Sequence, residues 1–467
     1  MAERLSARLL NEERDFQLHE LFFSTTDSRG VICHGNEVFA RVSGMTLEAL
    51  MGSPHSIIRH PDMPRAVFRL FWDMLRSGKT IAAYVKNLAA DGRYYWVLAV
   101  AMPVEDGYLS VRMKPSSDLL PVVQRLYNQM LAVERNIEVE PKKRVAAMEA
   151  STELLHNQLQ ELGFATYEEF MLHALATELS SRHSKLAADK SNLPHYNHRN
   201  NYFQESRAFD FLVPLLSSCR TLDGELKIAF DQLEKFKEMN IKLSKNSASV
   251  LRSAESIRSL AMNAKIAANM MGNRHSTLLV VADSLGAVSH NSQAVINELA
   301  SRMQAVIAVL SQLMFDVAAT KLQCEVSIQF LEELLGSEVH EMDSKLEESL
   351  KTLFQQIVSR VTSVFDHLKS TEGRMLELQT QLERLERNNR TLRFVQFAGK
   401  KESSGETNGF GVVFQEVKSH IDATQRDCDS LSDSVQASLA QIRSLRLLKG
   451  KLTDSLATLG NLDAALV

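Results

Sequence analysis

Residues 57–68 read IIRHPDMPRAVF, a polar corner that runs into an apolar helix. Arg59, His60 and Asp62 gather around two prolines, Pro61 and Pro64. A residue before proline is pushed out of the α region, so His60 and Met63 are expected to be extended. Pro64 has its φ preset for the first turn of a helix. That helix carries Val67, Phe68, Phe71 and Trp72 on its inward face. An arginine and a histidine beside an aromatic wall suit an anionic, planar ligand. Taken alone, the same residues equally describe a salt-bridged loop at a helix start.

The flanking sequence enlarges the pattern. Upstream, residues 21–27 read as a strand, Ser28-Arg29-Gly30 as a turn and residues 31–33 as a second strand. Asn36 opens a helical stretch, NEVFARVSGM, and residues 46–50 add another. Downstream, residues 80–87 alternate weakly, Asp91-Gly92 is a hairpin turn, and residues 94–102 form a long strand. Asp106-Gly107 turns again into a strand over 108–113. Two strands, short helices, then three antiparallel strands make an α+β domain over residues 20–115 with the element order of a PAS domain.

Within that domain, STTDSRGVICHGNEVFARVSGMTLEALMGSPHSIIRHPDMPRAVFRLFWDML and VKNLAADGRYYWVLAVAMPV resemble the sensor domain of bacterial aerotaxis receptors. The resemblance implies a PAS domain that holds FAD noncovalently and signals through its redox state. It places the cofactor pocket on Asn36, Arg59, His60, Asp62, Trp72 and Asn87. One departure is Thr80-Ile81, where the family often has Pro-Trp; it removes an aromatic stacking surface. The residue types suit the roles. Asn36 and Asn87 each offer two donors and an acceptor to a ring edge. Trp72 can cover a flat ring. Arg59 can pair with a phosphate or with the pyrimidine-like end of the ring. Two other readings stay open: His60 as an axial ligand of haem, and an empty pocket.

Composition sets further bounds. A chain of 467 residues holds two or three domains, and its net charge of −4 carries no bias toward nucleic acid. With only 19 glycines and 9 prolines, and with leucine, alanine, glutamate, glutamine and serine dominant after residue 115, most of the chain reads as helix. No run of 18 apolar residues suggests a membrane span, and MAERLSARLLNEERDF is too charged for a signal peptide, so a cytoplasmic location is expected. Cys33, Cys219, Cys324 and Cys428 are widely spaced and read as small core residues. His183, His195 and His198 lie close in sequence, but the surrounding asparagines and Pro194 favour a loop over a metal site. No nucleotide-binding loop, catalytic triad or kinase motif is present, so no catalytic residue and no enzymatic activity are expected.

Residues 1–19 precede the PAS domain, and 116–214 form a helical connector with a loop near 191–201. Thr166 and Glu169 form a capping box there. From about residue 215 apolar residues recur at three-to-four spacing in four series: Leu222 to Ile257, Leu285 to Leu331, Leu346 to Leu392 and Val417 to Leu459. Breaks fall at Gly272-Asn273, Gly336-Ser337 and SSGETNG, 403–409. Four long helices with three turns can close into one antiparallel four-helix bundle or coiled coil.

Two of the breaks look alike. LAMNAKIAANMMGNRHSTLLVVADSL, 260–285, resembles the hairpin tip of methyl-accepting chemotaxis receptors, and RFVQFAGKKESSGETNGFGVVFQEVK, 393–418, resembles the same tip, three residues shorter. Arg258-x6-Lys265 repeats as Arg393-x6-Lys400, an internal repeat. Two receptor-like hairpins, 215–335 and 338–461, are thus fused in one chain. The resemblance implies that the tips near Gly272 and Gly405 meet chemotaxis-type partners, a coupling protein or a histidine kinase. It also implies either a monomeric pseudo-dimer or a homodimer. Ala267 and Met270 depart from the family's glutamate and arginine at the first tip. The sequence therefore reads as a cytosolic sensor of redox state or oxygen that uses PAS-bound flavin and a helical relay. The alternative is a cofactor-free PAS adaptor that binds or sequesters such partners.

Overall fold

The computed structural model describes residues 9–138, 143–188, 207–270, 276–336, 344–402 and 410–461. The turns at both tips, 271–275 and 403–409, the 191–201 loop, His195 and His198 lie outside the described residues. Two compact units divide the chain. The first comprises Met1–Ile228, Met314–Val364 and Gly450–Val467, and the second Ala229–Leu313 and Phe365–Lys449.

In the first unit, β1 (Leu21–Asp27), β2 (Ile32–Gly35), β3 (Ile81–Leu88), β4 (Tyr94–Val104) and β5 (Gly107–Met113) form one antiparallel sheet in the order β2-β1-β5-β4-β3. The short helices α1 (Glu37–Ser43), α2 (Leu47–Leu50) and α3 (Arg65–Arg76) lie between β2 and β3 in the chain. Asn36 caps α1 and Thr46 caps α2, each with its side chain accepting from a backbone N–H three residues on. The sheet is buried on both faces, so its alternation is one of size rather than polarity. That explains the weak hydropathy pattern of β3.

The connector supplies α4 (Leu119–Ile137), α5 (Arg144–Glu161) and α6 (Tyr167–Ala188). In the capping box, the Glu169 N–H donates to Thr166 Oγ1 at 3.1 Å, while the Glu169 carboxylate accepts from Ala165 N at 2.8 Å rather than from Thr166 N. The buried carboxylate of Glu178 on α6 accepts from Tyr84 Oη at 2.8 Å and from the backbone N–H groups of Ser116 and Ser117. Burial, reinforced by Glu178, pushes the Tyr84 phenol far above its ordinary range. Tyr127 on α4 packs against Trp96 with its ring tilted at 38° and donates to Tyr84 O. Connector helices thus cover the face of β3 and β4 that carries Tyr84 and Trp96.

Four long helices follow: α7 (Arg207–Met270), α8 (Ser276–Gly336), α9 (Ser344–Glu402) and α10 (Phe410–Gly460). The apolar series lie inside, as their spacing requires; Leu222, Leu299, Leu353 and Val435, one from each helix, are all buried. In the second unit a single core takes Ile257 and Ala261 from α7, Leu278 and Leu285 from α8, Leu392 from α9, and Phe414 and Ile421 from α10. The four helices therefore share one interior in this unit. Gly399 permits this packing, because a Cβ there would lie 2.3 Å from the Phe414 ring. Cys219, Cys324 and Cys428 are buried free thiols, and Cys324 Sγ donates to Cys219 O at 3.1 Å.

Within the first unit, parts of α8 and α9 pack on the PAS domain. Phe330 meets Phe23 of β1 edge-on at 5.0 Å between ring centres. Gln329 accepts from Leu21 N at 3.0 Å and donates to His19 O at 2.8 Å. Glu333 accepts from Glu37 N at the start of α1 at 2.9 Å. Arg360 of α9 donates to Thr80 Oγ1 at 2.8 Å.

A buried charge cluster locks this arrangement. Arg182 of α6 donates to Leu18 O and His19 O and pairs with Glu325 of α8. Lys321 bridges Glu325 at 2.8 Å and Asp223 of α7 at 2.6 Å. Burial opposes ionisation of Glu325, but Arg182, His183 and Lys321 outweigh it and hold its carboxyl well below the usual range. The side chains of Arg182 and Lys321 are only 2% and 3% exposed. Glu325→Ala would strand Arg182 and leave Lys321 with Asp223 alone. A loss of about 3–5 kcal/mol is expected in urea denaturation, and Glu325→Gln should lose less because it keeps acceptor capacity.

Candidate functional site

A cavity of about 180 Å³ lies between α3 and the PAS sheet. That is more than ten times the space one water needs. Its floor explains its existence. Ser24 of β1, Ser110 of β5, and Ala99 and Ala101 of β4 all line it. Ser24 pairs with Ser110, Ser110 with Ala101, and Arg112 with Ala99 in adjacent registers. Four small side chains on one face leave a void that larger ones would fill. Val85 and Asn87 of β3 extend the floor by the same period of two.

The opposite wall is aromatic. Phe68, Phe71, Trp72 and Leu75 of α3 line the cavity, and Trp72 meets Tyr108 of β5 edge-on at 5.3 Å. Gly30, at φ +81°, lies beneath the indole; a Cβ there would come within 3.2 Å of Trp72 Cη2. The polar corner does lead into this helix, but Pro64 offers no side-chain cap. The cap comes from α4, where the buried Glu134 carboxylate accepts from Arg65 N at 2.8 Å and Ala66 N at 3.0 Å. A carboxylate on the first free N–H groups of a helix also meets the positive end of its dipole.

Three of the six residues singled out in the sequence line the cavity: Arg59, Trp72 and Asn87. A backbone bridge joins Arg59 to Asn87, and the Arg59 guanidinium stacks on Phe68 at 3.8 Å from the ring centre. The other three lie elsewhere. Asn36 is buried under β1, accepting from Phe23 N and Phe39 N and donating to Leu21 O, so its amide is spent on the fold. His60 faces a separate polar groove and its Nδ1 accepts from Asp62 N at 3.0 Å. Asp62 pairs with Arg135 at 2.8 Å and Lys86 at 3.4 Å. Burial raises the Asp62 pKa, but these cations outweigh it and hold it low. Ser56 and Arg59 line both spaces, and the groove adds Arg65, Arg135 and Arg144. No cluster suited to a metal ion occurs among the described residues.

Sequence reasoning missed His55, Tyr108 and Arg112, which also line the cavity. The signal was present in YLSVRM, where Arg112 shares the period-two face of Tyr108 and Ser110 in an otherwise apolar strand.

This fold and site define the N-terminal domain as a PAS domain, and the PAS fold family matches residues 32–111. Over 114 residues, 23% of this chain and 22% of the relative, the chain is 40% identical to the aerotaxis receptor of Escherichia coli. Over 102 residues, 21% of this chain and 24% of the relative, it is 29% identical to the biofilm dispersion protein BdlA of Pseudomonas aeruginosa. The chain thus spans between a fifth and a quarter of the length of the curated relatives it matches.

Two predictions follow from the local energetics. Glu134→Ala removes the cap of α3 and should cost about 1–2 kcal/mol in urea denaturation. For His60, burial first and Lys86 second lower the pKa from 6.5 to about 4. Between those values the unfolded chain binds a proton that the folded chain refuses, so stability falls as pH drops from about 6.5 to 4. At pH 5 the loss from this group is on the order of 2 kcal/mol. His60→Gln should flatten the pH 7-to-5 difference in unfolding free energy by that amount.

Proposed function

We propose that the chain is a signal-transduction protein whose PAS domain holds FAD and whose helices relay the flavin's redox or oxygen-dependent state. The observation that carries this reading is the cavity, with an aromatic wall on one side, a small-residue floor on the other, and Arg59 and Asn87 on its lining. These residues fit a planar ring with a polar edge. FAD would supply reversible electron uptake there. Trp72 would cover the ring, Asn87 would offer two donors and an acceptor to its edge, and Arg59, shared with the arginine-bearing groove, suits phosphate. His60 lies outside this cavity, which weighs against its serving as a haem ligand there.

The relay we infer runs through the sheet. Ser24 lines the cavity while its neighbour Phe23 meets Phe330 of α8. A shift of β1 is therefore felt directly by a long helix. Output to a chemotaxis-type coupling protein or kinase is supported by exposed apolar side chains leading toward the tips. Met262 and Phe397 stand four residues after the repeated Arg258 and Arg393, and they are 63% and 66% exposed. Because one chain supplies both hairpins of a shared core, the favoured state is a monomeric pseudo-dimer. A cytoplasmic location is the better reading of α8. It is the one described helix long and apolar enough to cross a membrane, and just over half of its apolar window is buried within the protein.

A second reading is the cofactor-free adaptor. It is favoured by the engagement of Asn36, His60 and Asp62 with protein partners rather than with the cavity. The absorption spectrum of the purified chain separates the two. Flavin bands are expected, and Trp72→Ala and Asn87→Ala should each weaken flavin affinity by at least about tenfold, the equivalent of one lost stacking surface or hydrogen bond. A colourless protein that resists reconstitution with FAD would sink the sensor reading in favour of the adaptor.

A further inference from the structure

The cavity wall holds a cation that the fold does not neutralise. Arg112 is 3% exposed. It donates to Ser24 Oγ at 3.0 Å and to Ser110 O at 3.3 Å, and it lies 2.5 Å from His55 Nε2. A guanidinium can only donate, so this nitrogen of His55 is the acceptor and its ring proton sits on Nδ1. The remaining partners are the ring faces of Phe39 at 5.4 Å and Phe22 at 5.8 Å, both near the outer limit of useful cation–π attraction. No carboxylate pairs with Arg112 among the described residues. Every other arginine or lysine whose side chain is comparably buried has one: Arg182 has Glu325, and Lys321 has Asp223 and Glu325. Burial lowers the Arg112 pKa to about 10, so it stays charged at neutral pH. Burial first, then Arg112, depresses His55 to about 3, so the imidazole stays neutral and adds no second charge.

A buried unpaired charge costs stability and persists where function uses it. Arg112 sits on the same face as Ser24, Ser110 and Ala99, on the floor opposite Trp72. We propose that Arg112 sets the ligand specificity of this cavity, selecting a planar ligand whose buried edge carries negative charge or hydrogen-bond-accepting carbonyl oxygens. Ser24 and His55 hold the guanidinium in place and are positioning residues. For a flavin, the edge selected is the dioxopyrimidine edge, whose electron density rises on reduction. That assignment rests on the flavin reading, whereas selectivity for an electron-rich edge rests on the cavity alone.

The test compares the full chain with Arg112→Gln, which is neutral but still donates hydrogen bonds, and Arg112→Lys, which keeps the charge. If the purified protein carries flavin, its reduction midpoint is measured by dye equilibration. Arg112→Gln should make the midpoint more negative or release the flavin, and Arg112→Lys should stay near wild type. A wild-type midpoint and full occupancy in Arg112→Gln would overturn the proposal while leaving the flavin reading intact. If the protein carries no flavin, calorimetry with 2-naphthoate and its neutral isostere 2-naphthamide is the measurement. Wild type should favour the carboxylate by at least about tenfold, as one charge-assisted hydrogen bond provides, and Arg112→Gln should lose the preference. Equal binding of the pair by wild type, or binding of neither, would overturn it.

Thermal melting guards against a merely structural role. Removing an unpaired buried charge should leave the melting temperature unchanged or higher. A lower melting temperature with unaltered ligand behaviour would mean that Arg112 serves only the fold. If Arg112→Gln does not fold, Arg112→Lys decides: retained selectivity supports the proposal, and lost selectivity overturns it.

Discussion

Successive side chains of a strand point to opposite faces of its sheet, and the PAS domain is organised around that alternation. On one face Ser24, Ala99, Ala101 and Ser110 are too small to fill the space under α3, so a cavity remains. On the other face Phe23, Tyr84 and Trp96 are large and need cover, which α8, α6 and α4 provide. One sheet is thereby the floor of a cavity and the docking surface for helices. A ligand that moves a strand by a fraction of an ångström acts on both faces together, because packed interiors transmit strain.

Docking of those helices depends on charge as well as on apolar burial. The strand that enters the sheet, β1, is preceded by Leu18 and His19, whose carbonyls are held by Arg182 and Gln329. Glu325 and Lys321 extend the cluster to α7. Three helices and the entry to β1 are thus tied by buried side chains, among which Arg182 depends on Glu325 for its carboxylate. The Glu333 contact at the start of α1 is softer. Burial raises its pKa to about 7, against the opposing hydrogen bond from Glu37 N, so its charge is responsive near neutrality.

Much of this was legible in the residues. Asp91-Gly92 and Asp106-Gly107 mark the hairpins, Asn36 and Thr46 mark helix starts, and the four apolar series mark the long helices, because each signal is local or periodic. The lining of the cavity was half legible. Trp72, Arg59 and Asn87 line it and stand beside recognisable turns or on a helix face. Asn36 was read as a ligand contact although its amide closes the fold between β1 and α1, and a sequence does not say which partner a versatile amide takes. Arg112 escaped because one arginine in an apolar strand is a weak signal; that no carboxylate pairs with it among the described residues emerges only from the tertiary structure.

The sequence by itself determined the element order, the hairpin turns of the sheet and the inward faces of the long helices. These follow from φ preferences and from the periods of helix and strand. Only the tertiary structure decided what meets across long separations. Glu134 caps α3 from α4. Phe330 covers Phe23 from more than three hundred residues away. His60 turns to a groove and Asp62 to Arg135 and Lys86, while Arg59 lines both groove and cavity. Propensity and pattern act over a few residues, whereas charge pairing and cavity formation depend on which distant surfaces close on each other.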